Sequence, residues 1–300
     1  MSDRGFPPDG TLGASRATDL RRAALFMVGS ALAFAAMSAA LKAAAREVPT
    51  TMLVFFRNAV ALGLLWPWVS RQRGVGLATR HLGGHLVRGL SGLAAMTCFF
   101  FTLGRLRLAD ATLLNQSYPL FLPLIERAWL GERVPSRAWR SLALGFLGVL
   151  FILKPGSSVF SAVALVGLTS AVFAAIAQVG IRQLTHTEPV VRIVFYFGLI
   201  ATVGSALALP WGWQTPSWPA LIALVTAGVL ATAGQLSLTR AYVHAPAATV
   251  GPFIYTGVVF AALVDWIVWD TLPDRWFIPG ALLVVLAGAA MLRREPTEPL

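Results

Sequence analysis

Apolar segments long enough to cross a lipid bilayer recur from one end of the chain to the other. The hydrocarbon core of a bilayer is about 30 Å thick, and a helix of about 20 apolar residues spans it. The apolar runs and the residues that interrupt them predict ten such helices, joined by short connections. These helices are predicted near residues 23–42, 50–70, 84–104, 109–130, 137–153, 158–181, 190–209, 217–239, 246–269 and 276–292. The sequence therefore predicts an all-α polytopic membrane protein with ten transmembrane helices.

The composition agrees with a chain that lies mostly within lipid. Of its 300 residues, 57% are hydrophobic and only 12% are charged, and the mean hydropathy is +0.71. A soluble domain usually carries about 25% charged residues. The net charge of +11 comes from basic residues scattered singly between apolar runs, unlike the clustered charge of a nucleic-acid-binding surface. The composition therefore favours the lipid bilayer, and not a nucleic acid, as a partner.

The distribution of Lys and Arg residues among the connections predicts the orientation of the helices. If the N-terminus is cytoplasmic, most of the 24 Lys and Arg residues fall in inner segments, among them Arg80, Arg88 and Arg127. Both termini are then cytoplasmic, because the number of crossings is even. Segment 1–22 is polar, rich in Gly and Pro, and lacks the apolar core of a signal peptide, which predicts a flexible cytoplasmic tail. Segment 294–300 is expected to be a second cytoplasmic tail.

The two halves of the chain resemble each other at a nearly constant offset. ALAFAAM at 31–37 matches SAVFAAI at 170–176, and LADAT at 108–112 matches HAPAAT at 244–249. Each match is weak alone, but the matches keep the same order along the chain. The sequence therefore predicts an internal repeat.

The number of helices in each half determines how the two repeats are related. The repeats are predicted over 23–155 and 156–293, and each holds five spans. Because five is odd, the second repeat must enter the membrane from the opposite side. Inverted repeats place one site near the middle of the membrane, between the two halves, where it can face either side alternately. This architecture is typical of transporters.

Three motifs of the first repeat resemble the EamA-type branch of the drug/metabolite transporter superfamily. They are VFFRNAVAL in the second span, ADATLLNQSYPLFLPLIERAWLGERV in the fourth, and GFLGVLFILKPG at the end of the fifth. Pro119 and Glu132 resemble the proline and glutamate of that family's pattern in their spacing. The second repeat departs from this pattern, with Gly257 and Asp270 at the corresponding positions.

The resemblance implies a secondary transporter of small metabolites, built from two inverted EamA repeats in a bacterial-type inner membrane. Members of this family often export amino acids or their derivatives. Others take up S-adenosylmethionine or export amino-acid-derived metallophores, and these stay open as alternative functions. No cofactor is implied, and a monomer or a homodimer is expected.

The fourth span carries the polar residues best suited to a binding site. Asn115, Gln116 and Tyr118 are predicted about 9–14 Å from the outer face, between the outer third and the middle of the membrane. Pro119 lacks an N–H group, so the carbonyl of Asn115 loses its helical donor. A free carbonyl beside an amide and a phenol could bind a zwitterionic amine. The alternative is that these groups form hydrogen bonds between helices around a kink.

The repeat relates this segment to a second polar position. The alignment of the two halves places Ser117 opposite Tyr255 in the ninth span, which also contains Pro252. Both segments are predicted near the middle of the membrane. We therefore predict that Tyr118 and Tyr255 face one site, and that Pro119 and Pro252 allow bending during gating.

Arg57 is the one basic residue predicted well inside a span, and Asp265 and Glu126 are the carboxylates predicted at membrane depth, where an unpaired charge is costly. Arg57 lies about 10 Å from the outer face, where it could bind a substrate carboxylate or form a structural pair with Asp265. Asp265 and Glu126 could each carry a proton in gating or coupling. For Glu126, however, a solvated position near the inner end of its span, beside Arg127, is favoured.

Other kinds of chemistry receive little support from the sequence. His81 and His85 have the spacing of a metal-binding pair, but they are predicted in a basic inner connection without a third ligand, so no metal site is predicted. No protease, phosphate-loop or nucleophile motif is present, so an enzyme is not expected. A membrane channel or a structural membrane protein remains the alternative from another class. A channel would carry a continuous polar stripe, whereas the polar residues here cluster near one depth.

Overall fold

The computed structural model describes residues 10–70, 76–103, 105–106, 108–132, 134–156, 161–270, 272–273 and 275–292. All regular secondary structure within these ranges is helical. They contain twelve α-helices: α1 (Gly10–Ala44), α2 (Thr50–Ser70), α3 (Leu82–Leu103), α4 (Leu108–Gln116), α5 (Tyr118–Leu130), α6 (Ser136–Leu153), α7 (Ala162–Leu184), α8 (Val190–Ala206), α9 (Trp218–His244), α10 (Ala247–Ile254), α11 (Thr256–Trp269) and α12 (Phe277–Leu292).

These helices form ten membrane-crossing units that match the ten predicted spans. The fourth span is divided into α4 and α5, and the ninth into α10 and α11, whereas every other span is a single helix. Seven of the ten are long and apolar enough to cross a membrane on length and composition alone. The predicted all-α architecture of ten transmembrane helices is confirmed.

Helix α1 begins earlier than the apolar pattern predicts. Its first residue is Gly10, so the helix extends into the segment 1–22 for which a flexible tail is predicted. The stretch 14–22 contains Ala, Leu and Arg, which favour helix, and no proline. The helix can therefore continue outward from the apolar span without a break.

The ends of the helices gather at two faces of the bundle. His244 at the end of α9 lies 3.9 Å from Asp19 in α1, and we call this side the Asp19 face. Lys42 near the end of α1 lies 2.7 Å from Asp265 in α11, and we call the opposite side the Lys42 face. Helices α5 and α7 end at the Asp19 face, and α2 and α9 begin at the Lys42 face.

The helices pack in a pattern that is the same when the two halves are exchanged. Helix α1 packs against α9, and its counterpart α7 packs against α3, the counterpart of α9. Helix α1 also packs along α10 and α11, as α7 does along α4 and α5. The pairs α2–α8 and α6–α12 each join a helix to its own counterpart. The two repeats are therefore interlocked, and the middle of the bundle lies between them.

The buried core is more continuous toward the Asp19 face than toward the Lys42 face. One large cluster joins Met27, Leu122, Val179, Tyr242 and Phe253, which come from five different helices. Nearer the Lys42 face the buried residues divide into smaller clusters, such as the one formed by Ala44, Val48, Met52, Leu53 and Leu224. Apolar packing therefore closes the Asp19 side of the bundle in this conformation.

Candidate functional site

The two interrupted spans break at positions related by the repeat. Ser117 lies between α4 and α5, and Tyr255, its counterpart in the second half, lies between α10 and α11. After each break the first hydrogen bond is short-range: the N–H of Leu120 donates to the Ser117 carbonyl (3.0 Å), and that of Val258 to the Tyr255 carbonyl (3.1 Å). Pro119 accounts for the first break because it has no N–H to donate. Both halves therefore present the same interruption between the repeats.

Asn115 forms a hydrogen-bonded bridge between three helices. Its Nδ2 donates to the hydroxyl of Ser170 in α7 (2.9 Å), and Ser170 donates to the carbonyl of Ala95 in α3 (2.9 Å). The amide nitrogen of Asn115 is thus used in a contact between helices, which is the alternative to substrate binding described above. Gln116 beside it is half-buried.

Three tyrosines lie buried between the repeats, close to the breaks. Tyr118 begins α5, Tyr242 lies in the last turn of α9, and Tyr255 occupies the second break. Tyr118 is close enough to both of the others for their hydroxyls to interact electrostatically. The hydroxyls of Tyr242 and Tyr255 have no hydrogen-bond partner among the described residues. Buried hydroxyls of this kind are uncommon, because an unsatisfied polar group destabilises the folded state.

The predicted pair between Arg57 and Asp265 is not formed. Asp265 pairs with Lys42 instead, and both side chains are about half exposed, at 41% and 48%. Helix α11 packs against α1, whereas Arg57 on α2 approaches the sulfur of Met96 on α3 (3.9 Å). The prediction of this structural pair is therefore wrong, and Arg57 is left for another role.

Arg88 lies inside the bundle, and not among the basic residues of an inner connection as the charge pattern predicts. Helix α3 begins at Leu82, so Arg88 is about 9 Å along the helix, and its side chain is buried. Its Nη2 donates to Oε1 of Gln235 in α9 (3.2 Å), and the guanidinium lies 4.0 Å above the ring of Phe197 in α8. His85 is also in α3 and buried, not in a connection.

Glu126 is fully buried and not solvated as predicted. Its two carboxylate oxygens accept hydrogen bonds from the N–H groups of Ala247 (2.6 Å) and Ala248 (2.8 Å), which begin α10. The first N–H groups of a helix have no partner within the helix, and the helix dipole favours a negative charge there. A carboxylate from the first repeat therefore caps a helix of the second.

A second polar contact joins the repeats at the same face. Arg182 in the last turn of α7 donates to the carbonyl of Tyr242 (2.7 Å) and to Glu132 (3.4 Å). Lys42 occupies the last turn of α1, the counterpart of α7, and its pair with Asp265 lies at the opposite face. Each face of the bundle thus has a basic residue near the end of a related helix, bound to a carboxylate.

Arg88 and Tyr242 are not among the site residues predicted from the sequence, although signals for both exist. Arg88 falls within the predicted span 84–104, so its depth could have been inferred from that prediction. Tyr242 lies beyond the predicted end of the eighth span at 239. The next helix-breaking residue is Pro246, and a helix extended to that residue would have included Tyr242.

A family model identifies the class of protein to which this fold and site belong. The model of the EamA-like transporter family matches residues 21–154 and again residues 161–293. The chain therefore belongs to the EamA-like transporter family and is a multi-pass membrane transporter with two EamA repeats.

Several curated relatives align with nearly the whole chain. The pseudopaline exporter of Pseudomonas aeruginosa is 38% identical over 281 residues, covering 92% of this chain and 98% of that protein. A riboflavin transporter of Vibrio cholerae is 27% identical and covers 91% and 93%. An S-adenosylmethionine uptake transporter of Rickettsia bellii is 25% identical and covers 81% and 84%.

A solved structure shares the fold. One crystal structure superposes with a TM-score of 0.76 at 18% identity, covering 89% of this chain and 95% of that chain. This similarity concerns the arrangement of the helices alone.

Proposed function

We propose that this protein exports a small amino-acid-derived metabolite by alternating access, with pseudopaline as the first compound to test. The observation that carries the proposal is the matched pair of helix breaks at Ser117 and Tyr255, which places polar groups of both repeats at one depth between the halves. Broken helices at such an interface are typical of transporter sites. The choice of compound is supported by the 38% identity to a pseudopaline exporter over nearly the whole of both chains.

The proposed orientation places the Asp19 face in the cytoplasm. Basic residues concentrate on that face, among them Arg21, Arg22, Arg182, Arg192 and Arg240, and cytoplasmic segments of membrane proteins are rich in such residues. Both termini are then cytoplasmic, and the relatives support a bacterial inner membrane. In export, the substrate enters from the Asp19 face and leaves at the Lys42 face.

The proposed binding residues line the space between the two breaks. Tyr118 and Tyr255 offer hydroxyls to the polar groups of the substrate, and Gln116 and Arg57 lie toward the Lys42 face of the same region. Asn115 contributes by holding α4 against α7 through Ser170.

The proposed gates are the polar contacts at the two faces. Opening toward the outside separates Lys42 from Asp265, which are already half exposed. Opening toward the cytoplasm requires Glu126 to leave the start of α10 and Arg182 to leave Tyr242 and Glu132. Pro119 and Pro252 weaken the helices near the breaks and allow them to bend. Such gates can alternate because the contacts of Lys42 with Asp265, of Glu126 with Ala247 and of Arg182 with Glu132 each join one repeat to the other.

Counterflow in proteoliposomes tests the proposed function. Vesicles containing the pure protein are loaded with unlabelled pseudopaline, and the entry of labelled pseudopaline is measured with and without S-adenosylmethionine or riboflavin as competitors. We expect saturable, accelerated entry that these competitors do not reduce. No acceleration over empty vesicles, or non-saturable passage typical of a channel, would contradict the proposal.

A further inference from the structure

Two guanidinium groups lie within the transmembrane spans without an ion pair to any described carboxylate. Neither Arg57 nor Arg88 forms an ion pair with any carboxylate whose side chain the structure describes. Three carboxylates whose side chains the structure describes bind elsewhere: Glu126 binds the start of α10, Glu132 binds Arg182, and Asp265 binds Lys42. An ionised side chain at such a depth is costly unless it is paired or wetted.

The surroundings of Arg88 hold the guanidinium in position but leave its charge in place. Its contacts are the neutral amide of Gln235 and the face of Phe197. Gly92 makes room for it, since a Cβ atom there would lie 2.6 Å from Nη1 of Arg88. The side chain is 4% exposed, and its Nε has no hydrogen-bond partner among the described residues. Arg88 is therefore a buried cation whose Nε–H group is still available to donate a hydrogen bond.

Arg57 has an equally neutral environment. Its Nη1 makes a weak contact with the sulfur of Met96, and its Nε is also without a hydrogen-bond partner in the described part of the chain. The two arginines are close enough for their positive charges to repel each other. The interior between the repeats therefore holds two guanidinium charges that form no ion pair with a described side chain.

The two arginines lie on either side of the middle of the membrane. Arg57 is about 10 Å from the start of α2 at the Lys42 face, and Arg88 is about 9 Å from the start of α3 at the Asp19 face. In a hydrocarbon core about 30 Å thick, they are separated by roughly 10 Å along the membrane normal. The helix breaks lie at the depth between them.

We infer that Arg57 and Arg88 form a two-point site for a substrate that carries at least two carboxylates, one for each guanidinium. This inference rests on the proposed function, because it assigns the charge of the substrate that occupies the same central region. A carboxylate matches the planar donor pattern of a guanidinium and is bound most strongly where water is excluded. A substrate with a single carboxylate would leave one arginine unneutralised, and a cationic substrate would be repelled.

Amino dicarboxylates of increasing length test directly how many substrate carboxylates the site binds. The probes are 2-aminoadipate, 2-aminopimelate and 2-aminosuberate, and each is compared with the monoester of its distal carboxylate. Two readouts are used: competition with labelled pseudopaline in the counterflow assay, and the increase in the melting temperature of the purified protein. We expect the longest dicarboxylate to bind about tenfold or more tightly than its monoester, which corresponds to one charge-assisted contact. Equal binding of each acid and its monoester would overturn the inference.

Variants assign the contacts to the two arginines. We expect Arg57→Gln and Arg88→Gln each to abolish the preference for the dicarboxylate, while Arg127→Gln, an exposed arginine in α5, keeps it. Arg88→Lys keeps the charge but loses the paired donors, so a partial preference is expected. A dicarboxylate preference unchanged in Arg57→Gln or Arg88→Gln would overturn the inference.

The melting temperature without ligand separates a binding role from a structural one. If Arg88 serves binding, removing one of two buried charges that repel each other stabilises the ligand-free protein. Arg88→Gln should then melt at the same temperature as the wild type or higher. A lower melting temperature would show that Arg88 mainly supports the fold and would overturn its assignment. Failure of pseudopaline counterflow together with an arginine-dependent dicarboxylate preference would reject the proposed substrate and keep this inference. Pseudopaline counterflow without an arginine-dependent dicarboxylate preference would keep the proposed substrate and reject this inference.

Discussion

Among single residues, the buried tyrosine hydroxyls are the groups whose presence folding does not explain. Burying a hydroxyl without a partner costs about 1–3 kcal/mol, and phenylalanine would fill the same space without that cost. Tyr242 and Tyr255 nevertheless place their hydroxyls beside Tyr118, between the two repeats. The proposed role in binding substrate would give these hydroxyls a partner during transport.

The variant Tyr255→Phe separates binding from stability. We expect transport to fall about 3- to 10-fold, because one hydrogen bond to the substrate is lost. The melting temperature should stay the same or rise, because an unsatisfied hydroxyl is removed. Tyr196→Phe is the matched control, since its hydroxyl donates to the carbonyl of Leu77 outside the proposed site. Unchanged transport in Tyr255→Phe would contradict the assignment of this residue.

Glu188 lies in the turn between α7 and α8, and its carboxyl group should make the stability of the protein depend on pH. Burial alone would raise the pKa of this carboxyl, but hydrogen bonds from Thr79 and Arg192, with the charge of Arg192, outweigh burial and hold the pKa below its ordinary value. The resulting stability is complete above a pH of about 4.5, the ordinary pKa, and is lost as the pH falls through the lowered value.

The variant Glu188→Gln tests this dependence. We expect a lower melting temperature than the wild type near pH 7 and a smaller further decrease on acidification from about pH 5 to about pH 3. The measurement is thermal unfolding of the purified protein across this range. Parallel pH profiles for the two proteins would show that Glu188 does not contribute in this way.

Among helices, Glu126 in α5 of the first repeat binds the start of α10 in the second repeat. We expect Glu126→Ala to destabilise the protein by about 1–2 kcal/mol, the usual effect of losing a helix cap. Glu126→Gln keeps an acceptor but loses the charge, so its effect should be smaller. Thermal unfolding measures both, with Glu47→Gln as an exposed control. Wild-type stability of Glu126→Ala would contradict the capping role.

The sequence predicts helices and their symmetry better than it predicts contacts between them. The ten spans and the interruption near Pro119 follow from local properties: apolar length and a missing N–H group. The partner of Asp265 does not, because α1 and α11 are far apart in the chain. Glu126 was misjudged for the same reason: the N–H groups that it caps begin a helix far along the chain, in the other repeat. Arg88 lies within the predicted span 84–104, and the charge count assigns it wrongly to the adjacent inner connection because it is basic and lies near the start of that span.

At the scale of the whole molecule, the proposed gates at the two faces require the repeats to move against each other. A reversible cross-linker between cysteines in the double variant Lys42→Cys, Asp265→Cys, with Cys98→Ser to remove the native thiol, should hold the Lys42 face closed. We expect transport to stop when the link forms and to return when it is reduced. Transport that continues with the link complete would show that this face does not open between α1 and α11.

The most direct test of alternating access is the accessibility of one residue between the repeats. Gln116→Cys, with Cys98→Ser, is labelled by a membrane-impermeant thiol reagent added to either side of oriented vesicles. We expect labelling from both faces in the unlocked protein, and from the Asp19 face alone when cysteines at positions 42 and 265 are cross-linked. Labelling from the Lys42 face at an unchanged rate in the locked protein would contradict a central site that the two faces reach in turn.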